Sequence, residues 1–275
     1  MSNYKLVCSD LDGTLLRRDM TVSDENKAAI KRMTELGVAF VASSGRAHTT
    51  LPREVVECDD IRYLISSNGA VIYDKEQKKI IATNYMPKPI AEKMFSVVGE
   101  YEVSIFVHCN GIMYVDDSLV RDRAYDRYNI NSYFSGFIDR EGIRVDHTPD
   151  FALETGNLEM ITVFFHSQEE LDECTARILE LGDYKVVSSC AFNIEIFYKE
   201  SGKGASLKML AELLGIPIEE TIAVGDSTND KPMLDAAGLS LATENAFPEL
   251  KEAADEVICH FNDHTADYIL KHHIL

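Results

Sequence analysis

The stretch Leu6-Val7-Cys8-Ser9-Asp10-Leu11-Asp12-Gly13-Thr14 lies near the start of the chain and decides how the rest is interpreted. An apolar run typical of a buried strand leads directly into two carboxylates that are separated by one residue. A polar turn after a strand explains Gly13, but it does not explain why two acids that repel each other share one turn. The segment therefore predicts a compact acidic site at the end of the first strand.

Size and composition limit the class of protein. With 275 residues, of which 45% are hydrophobic, the chain is long enough for one or two domains with a substantial core. No run approaches the ~18 apolar residues that a membrane-spanning helix needs, and Met1-Ser2-Asn3-Tyr4-Lys5 lacks the regions of a signal peptide. The six cysteines include no C-x-x-C pair, which favours reduced thiols and a cytoplasmic location.

The charge of the chain points to its partners. A formal net charge of −19 disfavours nucleic acids and anionic membranes as partners. An anionic substrate would therefore need local positive charge, from a bound cation or from a few well-placed lysines and arginines.

The first and last thirds of the chain alternate strands with helices. Ser23 is the expected N-cap of a helix that runs to about Leu36, and apolar strands are expected at residues 38–42, 61–65 and 221–224. Each of these strands ends in a polar turn. The alternation predicts an α/β fold, a doubly wound, Rossmann-like parallel sheet with helices on both faces.

The middle of the chain has a different pattern. Two apolar strands joined by Asn110-Gly111 predict a β-hairpin with a tight primed turn, and further strands and a helix follow as far as Tyr198. We therefore predict a core formed by residues 1–85 and 198–275, with an inserted α+β domain at residues 86–197.

Polar residues follow the predicted core strands, and in a doubly wound sheet ligands bind beyond the carboxyl ends of the strands. Lys203 opens the helix before the last of these strands. Because hard oxygen ligands crowd this edge without a nearby His or Cys, Mg²⁺ is the expected cation. The residues expected at the edge are Asp10, Asp12, Ser44, Gly45, Arg46, Asn68, Lys203, Asp226, Asn229 and Asp230.

Taken in order, these motifs resemble those of the haloacid dehalogenase superfamily and, within it, the Cof-type phosphatases. The matching motifs span most of the chain outside the insert. They are Asp10-Leu11-Asp12-Gly13-Thr14-Leu15, Ser44-Gly45-Arg46, Ser67-Asn68-Gly69-Ala70, Lys203-Gly204, Gly225-Asp226-Ser227-Thr228-Asn229-Asp230, Pro232-Met233-Leu234 and Asn245-Ala246.

The resemblance implies a Mg²⁺-dependent phosphatase that acts on small phosphate monoesters, with sugar phosphates as the expected substrates. Asp10 would attack phosphorus to form an aspartyl-phosphate, and Asp12 would protonate the leaving alcohol and then activate water. The insert would be an α/β cap that excludes water and contacts the leaving group. Phosphate would be bound by Ser44, Gly45, Lys203 and Asn229, and the metal by Asp10, the main-chain carbonyl of Asp12, Asp226 and Asp230.

Four further residues are weaker candidates for substrate contacts. Arg46 is equally well interpreted as an exposed structural arginine, and Asn68 as part of a turn. For Arg123 and Tyr125 of the insert, taken singly, a surface or packing role is the favoured interpretation.

Three positions depart from the family pattern, and other functions stay open. Ser44 stands where threonine is more usual and keeps the hydroxyl, Thr243-Glu244 replaces the usual Met-Gly before Asn245, and Asp263-His264 stands where Asp-Gly is expected. A phosphomutase on the same scaffold and a non-enzymatic module that binds phosphorylated metabolites are the alternatives. The expected partner is a small phosphorylated metabolite, and the expected state is a monomer or a small homo-oligomer.

Overall fold

The computed structural model describes residues 3–275, so that Met1 and Ser2 of the N-terminal segment lie outside the described residues. The strands are β1 (Leu6–Asp10), β2 (Ala39–Ser43), β3 (Ile61–Ser66), β4 (Val71–Asp74), β5 (Lys79–Thr83), β6 (Val103–Cys109), β7 (Ile112–Asp116), β8 (Ile143–Val145), β9 (Leu158–Phe165), β10 (Tyr184–Val187), β11 (Asn193–Tyr198), β12 (Thr221–Gly225), β13 (Leu239–Ala242) and β14 (Glu256–Val257). The α-helices are α1 (Asp24–Glu35), α2 (Arg53–Glu57), α3 (Lys88–Val98), α4 (Asp117–Arg121), α5 (Ser132–Glu141), α6 (Thr148–Thr155), α7 (Gln168–Glu180), α8 (Lys203–Leu214), α9 (Lys231–Leu234), α10 (Pro248–Ala253) and α11 (Thr265–Ile269).

These elements form two compact units. The first unit contains residues 3–46, Leu51–Thr83 and Gly202–Leu275, and the second contains Ala47–Thr50 and Asn84–Ser201. That residues 86–197 form an inserted domain stays a prediction.

An eight-stranded sheet organises the first unit, in the order β14-β13-β12-β1-β2-β3-β4-β5. Neighbouring strands from β14 to β3 are parallel, and β4 and β5 add an antiparallel edge. The chain leaves β1 for β2 on one side and returns to β12 on the other. The strand order therefore reverses at β1, which confirms the predicted doubly wound α/β fold.

Both faces of this sheet are buried under helices. Val7 of β1 packs in an apolar cluster with residues of α1 and α11, such as Ile30 and Ile269. Its neighbour Leu6 packs in a second cluster with residues of α8 and α9, such as Leu207. Because successive strand residues point to opposite faces, an uninterrupted apolar β1 is what a doubly covered central strand requires.

Local sequence signals set the ends of the helices that were expected. The Ser23 side chain accepts a hydrogen bond from the backbone N–H of Asn26 and so caps α1, as predicted. Gly215 ends α8 in the left-handed conformation, with φ 66°, where a side chain at Cβ would be strained.

The second unit has a six-stranded sheet of its own, in the order β10-β11-β9-β6-β7-β8. The predicted hairpin is confirmed as β6 and β7, and both turn residues have positive φ, 53° at Asn110 and 76° at Gly111. This is the geometry of a type I′ turn. Helices α3 and α7 cover one face of the sheet, and the segment from α4 to α5 packs against the other.

Within residues 3–275, no helix is both long enough and apolar enough to cross a membrane.

Two glycines within helices allow a test of how closely α8 packs against α9. A Cβ at Gly204 would overlap the carbonyl oxygen of Pro232, whereas a Cβ at Gly136 in α5 would meet only the end of the Arg140 side chain, at 3.4 Å. We expect Gly204→Ala to lower the free energy of unfolding by about 1–3 kcal/mol, because backbone must move. Gly136→Ala should raise it by up to about 1 kcal/mol, through helix propensity. Chemical denaturation of both variants checks this, and equal effects would contradict the packing argument.

Candidate active site

A buried lysine joins two acids from distant parts of the chain. The Lys203 ammonium donates to Asp10 Oδ1 and to Asp230 Oδ1, each at 2.6 Å, and its side chain has no exposed surface. Burial lowers the pKa of Lys203, but the charges of Asp10 and Asp230 together raise it more, so that the net direction is upward. The lysine is therefore a fixed positive charge in the centre of the site.

The position of Lys203 depends on the loop that follows β3. Ser67, Asn68 and Gly69 all have positive φ, and the Ser206 hydroxyl on the first turns of α8 donates to the Gly69 carbonyl at 2.6 Å. A Cβ at Gly69 would overlap the backbone of the residue before Lys203. The close approach of these two backbones holds the first residue of α8 against the end of the sheet.

Asp230 organises the loop after β12. Its Oδ2 accepts the backbone N–H groups of Asp226 and Ser227, at 3.0 and 3.1 Å, while its Oδ1 binds Lys203. The Cβ of Asp230 would lie 2.5 Å from a Cβ at Gly225, so only glycine fits there. Since both oxygens of Asp230 already accept protein donors, this residue fixes the loop that presents Asp226.

The Asp226 carboxylate lies next to Gly13, in the turn that follows β1. The Asn245 amide donates to the Gly13 carbonyl at 2.8 Å and approaches Asp226 Oδ2 at 3.5 Å. Burial, followed by the nearby charge of Asp230, raises the pKa of Asp226 to about 7. The sequence analysis includes Asn245 in a motif but gives it no role, because sequence spacing gives no sign that its side chain bridges these two turns.

The acid cluster has the composition of a divalent cation site. Ligand oxygens of Asp10, Asp226 and Asp230 lie within 4.8 Å of one another. Asp10 Oδ2 and Asp226 Oδ1 are buried and have no hydrogen-bond donor, and burial is the main cause of a raised pKa at Asp10. Hard oxygen donors of this kind fit a divalent cation such as Mg²⁺ or Ca²⁺, which would offset their mutual repulsion.

Asp12 lies outside this cluster, and 44% of its side chain is exposed. Both of its carboxylate oxygens accept from the Arg46 guanidinium, at 2.7 and 2.8 Å. Sequence reasoning named both residues but did not foresee that they form a pair. That Arg46 contacts the substrate, and that the Asp12 carbonyl binds a metal, stay predictions.

The residues predicted to bind phosphate gather around the turns after β2, β3 and β12. Ser44 is buried, and its Oγ accepts the Arg46 N–H at 3.2 Å. The Asn229 amide donates to Asn68 Oδ1 at 3.1 Å, and the Asn68 side chain lies against Gly45. The structure thus brings Ser44, Gly45 and Asn229 together around Asn68. The contact of the first three with phosphate, and of Asn68 with the substrate, stay predictions.

The second unit holds the two remaining candidates. Tyr125 is 6% exposed, and its hydroxyl donates to Asp139 at 2.6 Å. The exposed Arg123 forms an ion pair with the same Asp139, at 3.4 Å. These contacts account for both residues without a ligand, and their role as substrate contacts stays a prediction.

The departures at Thr243-Glu244 and Asp263-His264 are not members of the acid cluster. His264 has φ 67°, a conformation that explains why glycine is expected there, and its ring contacts the Ser23 hydroxyl at 2.9 Å. Thr243 is buried, and its backbone N–H donates to the Gly225 carbonyl at 3.1 Å.

Comparison with known proteins bears on this geometry. The profile of the haloacid dehalogenase-like hydrolases matches residues 7–269. The phosphatase YwpJ of Bacillus subtilis is 32% identical over 285 residues, covering 98% of this chain and 99% of that protein. The chain belongs to the haloacid dehalogenase-like hydrolases.

Two further relatives agree with this family. A 5-amino-6-(5-phospho-D-ribitylamino)uracil phosphatase, YwtE of B. subtilis, is 29% identical over 270 residues, covering 90% of each chain. A solved haloacid dehalogenase-like hydrolase from B. subtilis is similar to this structure, with a TM-score of 0.84 and 30% identity. The match covers 98% of this chain and all of the other. The resemblance found in the motifs is thus confirmed across nearly the whole chain.

The raised pKa of Asp226 predicts how cation binding depends on pH. Below about pH 7 a cation must displace a proton from Asp226, so affinity should rise with pH and be about tenfold higher at pH 8 than at pH 6. Thermal unfolding in a Mg²⁺ titration at the two pH values measures this. Asp226→Asn should abolish the stabilisation at both, and a pH-independent affinity would contradict the prediction.

Proposed function

We propose that this phosphoric monoester hydrolase transfers the phosphoryl group to Asp10 and then to water, with Mg²⁺ as the cofactor. The observation that carries the proposal is the Asp10 carboxylate, held by Lys203 at 2.6 Å within 4.8 Å of the ligand oxygens of Asp226 and Asp230. Such a site combines a fixed nucleophile with positive charge, and phosphoryl transfer depends mainly on these two features.

In the first step an Asp10 oxygen forms a bond to phosphorus while the bond from phosphorus to the alcohol oxygen breaks. Asp12 gives its proton to that leaving oxygen. Lys203 holds the Asp10 carboxylate in place through Oδ1 and neutralises phosphoryl oxygens. In the second step Asp12 takes a proton from water, which attacks phosphorus and releases inorganic phosphate and the free Asp10 carboxylate.

The acid cluster would hold Mg²⁺ through the side chains of Asp10 and Asp226 and the main-chain carbonyl of Asp12. When bound, the cation neutralises phosphoryl oxygens and lets an anionic ester approach a chain with a net charge of −19. Asp230 would contribute by fixing the loop of Asp226, since its own oxygens accept hydrogen bonds from Lys203 and from two backbone N–H groups.

The proposed substrates are small alkyl phosphates, with sugar and polyol phosphates first among them. The name of the relative YwtE specifies a phosphate ester on a ribityl chain, which is an ester of this class. We further propose that the second unit corresponds to the cap predicted for residues 86–197.

Replacement of the nucleophile gives the first functional prediction. Asp10→Asn should reduce turnover of p-nitrophenyl phosphate to background, because an amide cannot form the acyl-phosphate. Asp235→Asn is the matched control, since Asp235 forms an exposed ion pair with Lys231 on α9, and it should retain wild-type activity. Full activity in Asp10→Asn would exclude the covalent route.

The products and the metal requirement give a second prediction. Across a panel of sugar phosphates, polyol phosphates and nucleotides, we expect inorganic phosphate and free alcohol in Mg²⁺, and less than about 1% of that rate in excess EDTA. Product identification by NMR and a phosphate assay measure both. An isomerised ester without phosphate release would indicate a phosphomutase, and undiminished activity in EDTA would exclude the metal.

A further inference from the structure

The ion pair between Arg46 and Asp12 is built as a two-point contact. Arg46 Nε donates to Asp12 Oδ2 at 2.8 Å, and a second guanidinium nitrogen donates to Oδ1 at 2.7 Å. Two parallel bonds between planar groups fix the orientation of the carboxylate as well as its distance. Only 14% of the Arg46 side chain is exposed, compared with 44% of Asp12.

The backbone of Arg46 is held on both sides. Its N–H donates to Ser44 Oγ at 3.2 Å, and its carbonyl accepts the N–H of Ser67 at 2.8 Å. The turn after β2 and the loop after β3 therefore fix the point at which the Arg46 side chain leaves the backbone.

A second segment lies against the guanidinium. The turn at residues 17–21 is closed by hydrogen bonds between Arg17 and Thr21, at 2.9 Å, and between Met20 and Arg17, at 2.9 Å. Within it Met20 has φ 66° and its sulfur lies 4.0 Å from an Arg46 nitrogen. This turn therefore gives the guanidinium an apolar neighbour.

Each of the two acids of the first motif is thus bound by a different basic side chain. Lys203 binds Asp10, and Arg46 binds Asp12. Because each carboxylate is fixed by its own partner, the two can stand close in sequence and take different orientations.

We propose that Arg46 is a positioning residue that orients the Asp12 carboxyl for proton transfer to the leaving oxygen. This inference rests on the proposed function, in which Asp12 is the general acid. Proton transfer requires an Asp12 oxygen within hydrogen-bond reach of that oxygen, and a carboxyl freed to rotate would meet this requirement only part of the time. Arg46 acts through Asp12, and its guanidinium fork matters more than its charge alone.

The basicity of the leaving group tests this role. An alkoxide is strongly basic and needs a proton when its bond to phosphorus breaks, whereas p-nitrophenolate leaves without one. The quantity to compare is kcat/KM, because it includes the steps up to departure of the leaving group and excludes hydrolysis of the aspartyl-phosphate. The two substrates are p-nitrophenyl phosphate and the primary alkyl phosphate that the wild type hydrolyses fastest.

Arg46→Met should lower kcat/KM for the alkyl ester about 100-fold and for p-nitrophenyl phosphate less than about threefold. Arg46→Lys keeps the charge but loses the fork, and it should show the same selective loss. In the Asp12→Asn background, Arg46→Met should cause no further loss on the alkyl ester, because the two residues act as one unit.

Arg62→Lys is the matched control. Arg62 also makes a two-nitrogen contact with an aspartate of the first unit, Asp74, with its shortest bond at 2.8 Å. This variant should leave both rates at the wild-type value. Thermal unfolding of every variant shows whether a loss comes from instability, which would lower both rates by the same factor.

The outcomes separate the inference from the function on which it rests. Equal losses on both substrates in folded Arg46 variants, or a further loss in the double variant, would show that Arg46 binds the substrate directly and would overturn the inference. Unchanged rates would overturn it as well. If Asp12→Asn itself fails to distinguish the two substrates, the assignment of Asp12 as general acid fails first.

Discussion

The buried ammonium of Lys203 is the contact on which the first unit depends. It joins Asp10 and Asp230, which stand 193 and 27 residues away in the chain, at 2.6 Å each. Charges are expensive to bury unless they are paired, so removing one partner leaves an uncompensated charge in the interior. The Lys203 side chain therefore links the start of α8 to the end of β1 and to the loop after β12, and it adds to the pairing of β1 with β12 in the sheet.

That contact also leaves the site short of positive charge. One lysine neutralises only part of the charge of Asp10, Asp226 and Asp230. Burial first, and then the remaining charge of Asp230, raise the pKa of Asp226 to about 7. A cluster with an excess of negative charge favours binding of a cation. A bound cation would in turn reduce the repulsion between the cluster and an anionic phosphate ester. The crowding of acids that identifies the first motif in the sequence is thus the same property that would favour a cation at the site.

The sequence predicted the parallel core because its strands are continuous apolar runs that end in polar turns, and parallel topology brings such turns to one edge. It did not predict the pairing of Arg46 with Asp12 or the bridge made by Asn245. Both depend on the direction of a long side chain across turns that are distant in sequence, which local patterns do not encode. It also did not anticipate that Ala47–Thr50 groups with the second unit.

The two acids of the first motif have different surroundings, and these suit the different tasks that the proposed function gives them. Asp10 is 5% exposed and bound to a buried ammonium, which suits a nucleophile that must be fixed and kept from water. Asp12 is far more exposed and bound to a guanidinium on another strand end, which suits a group that exchanges protons with an alcohol and with water. An enzyme that needs a nucleophile and a proton donor can build both from one residue type when the environments differ. The single residue between them, Leu11, is fully buried, and it anchors the turn that sends the two side chains to different partners.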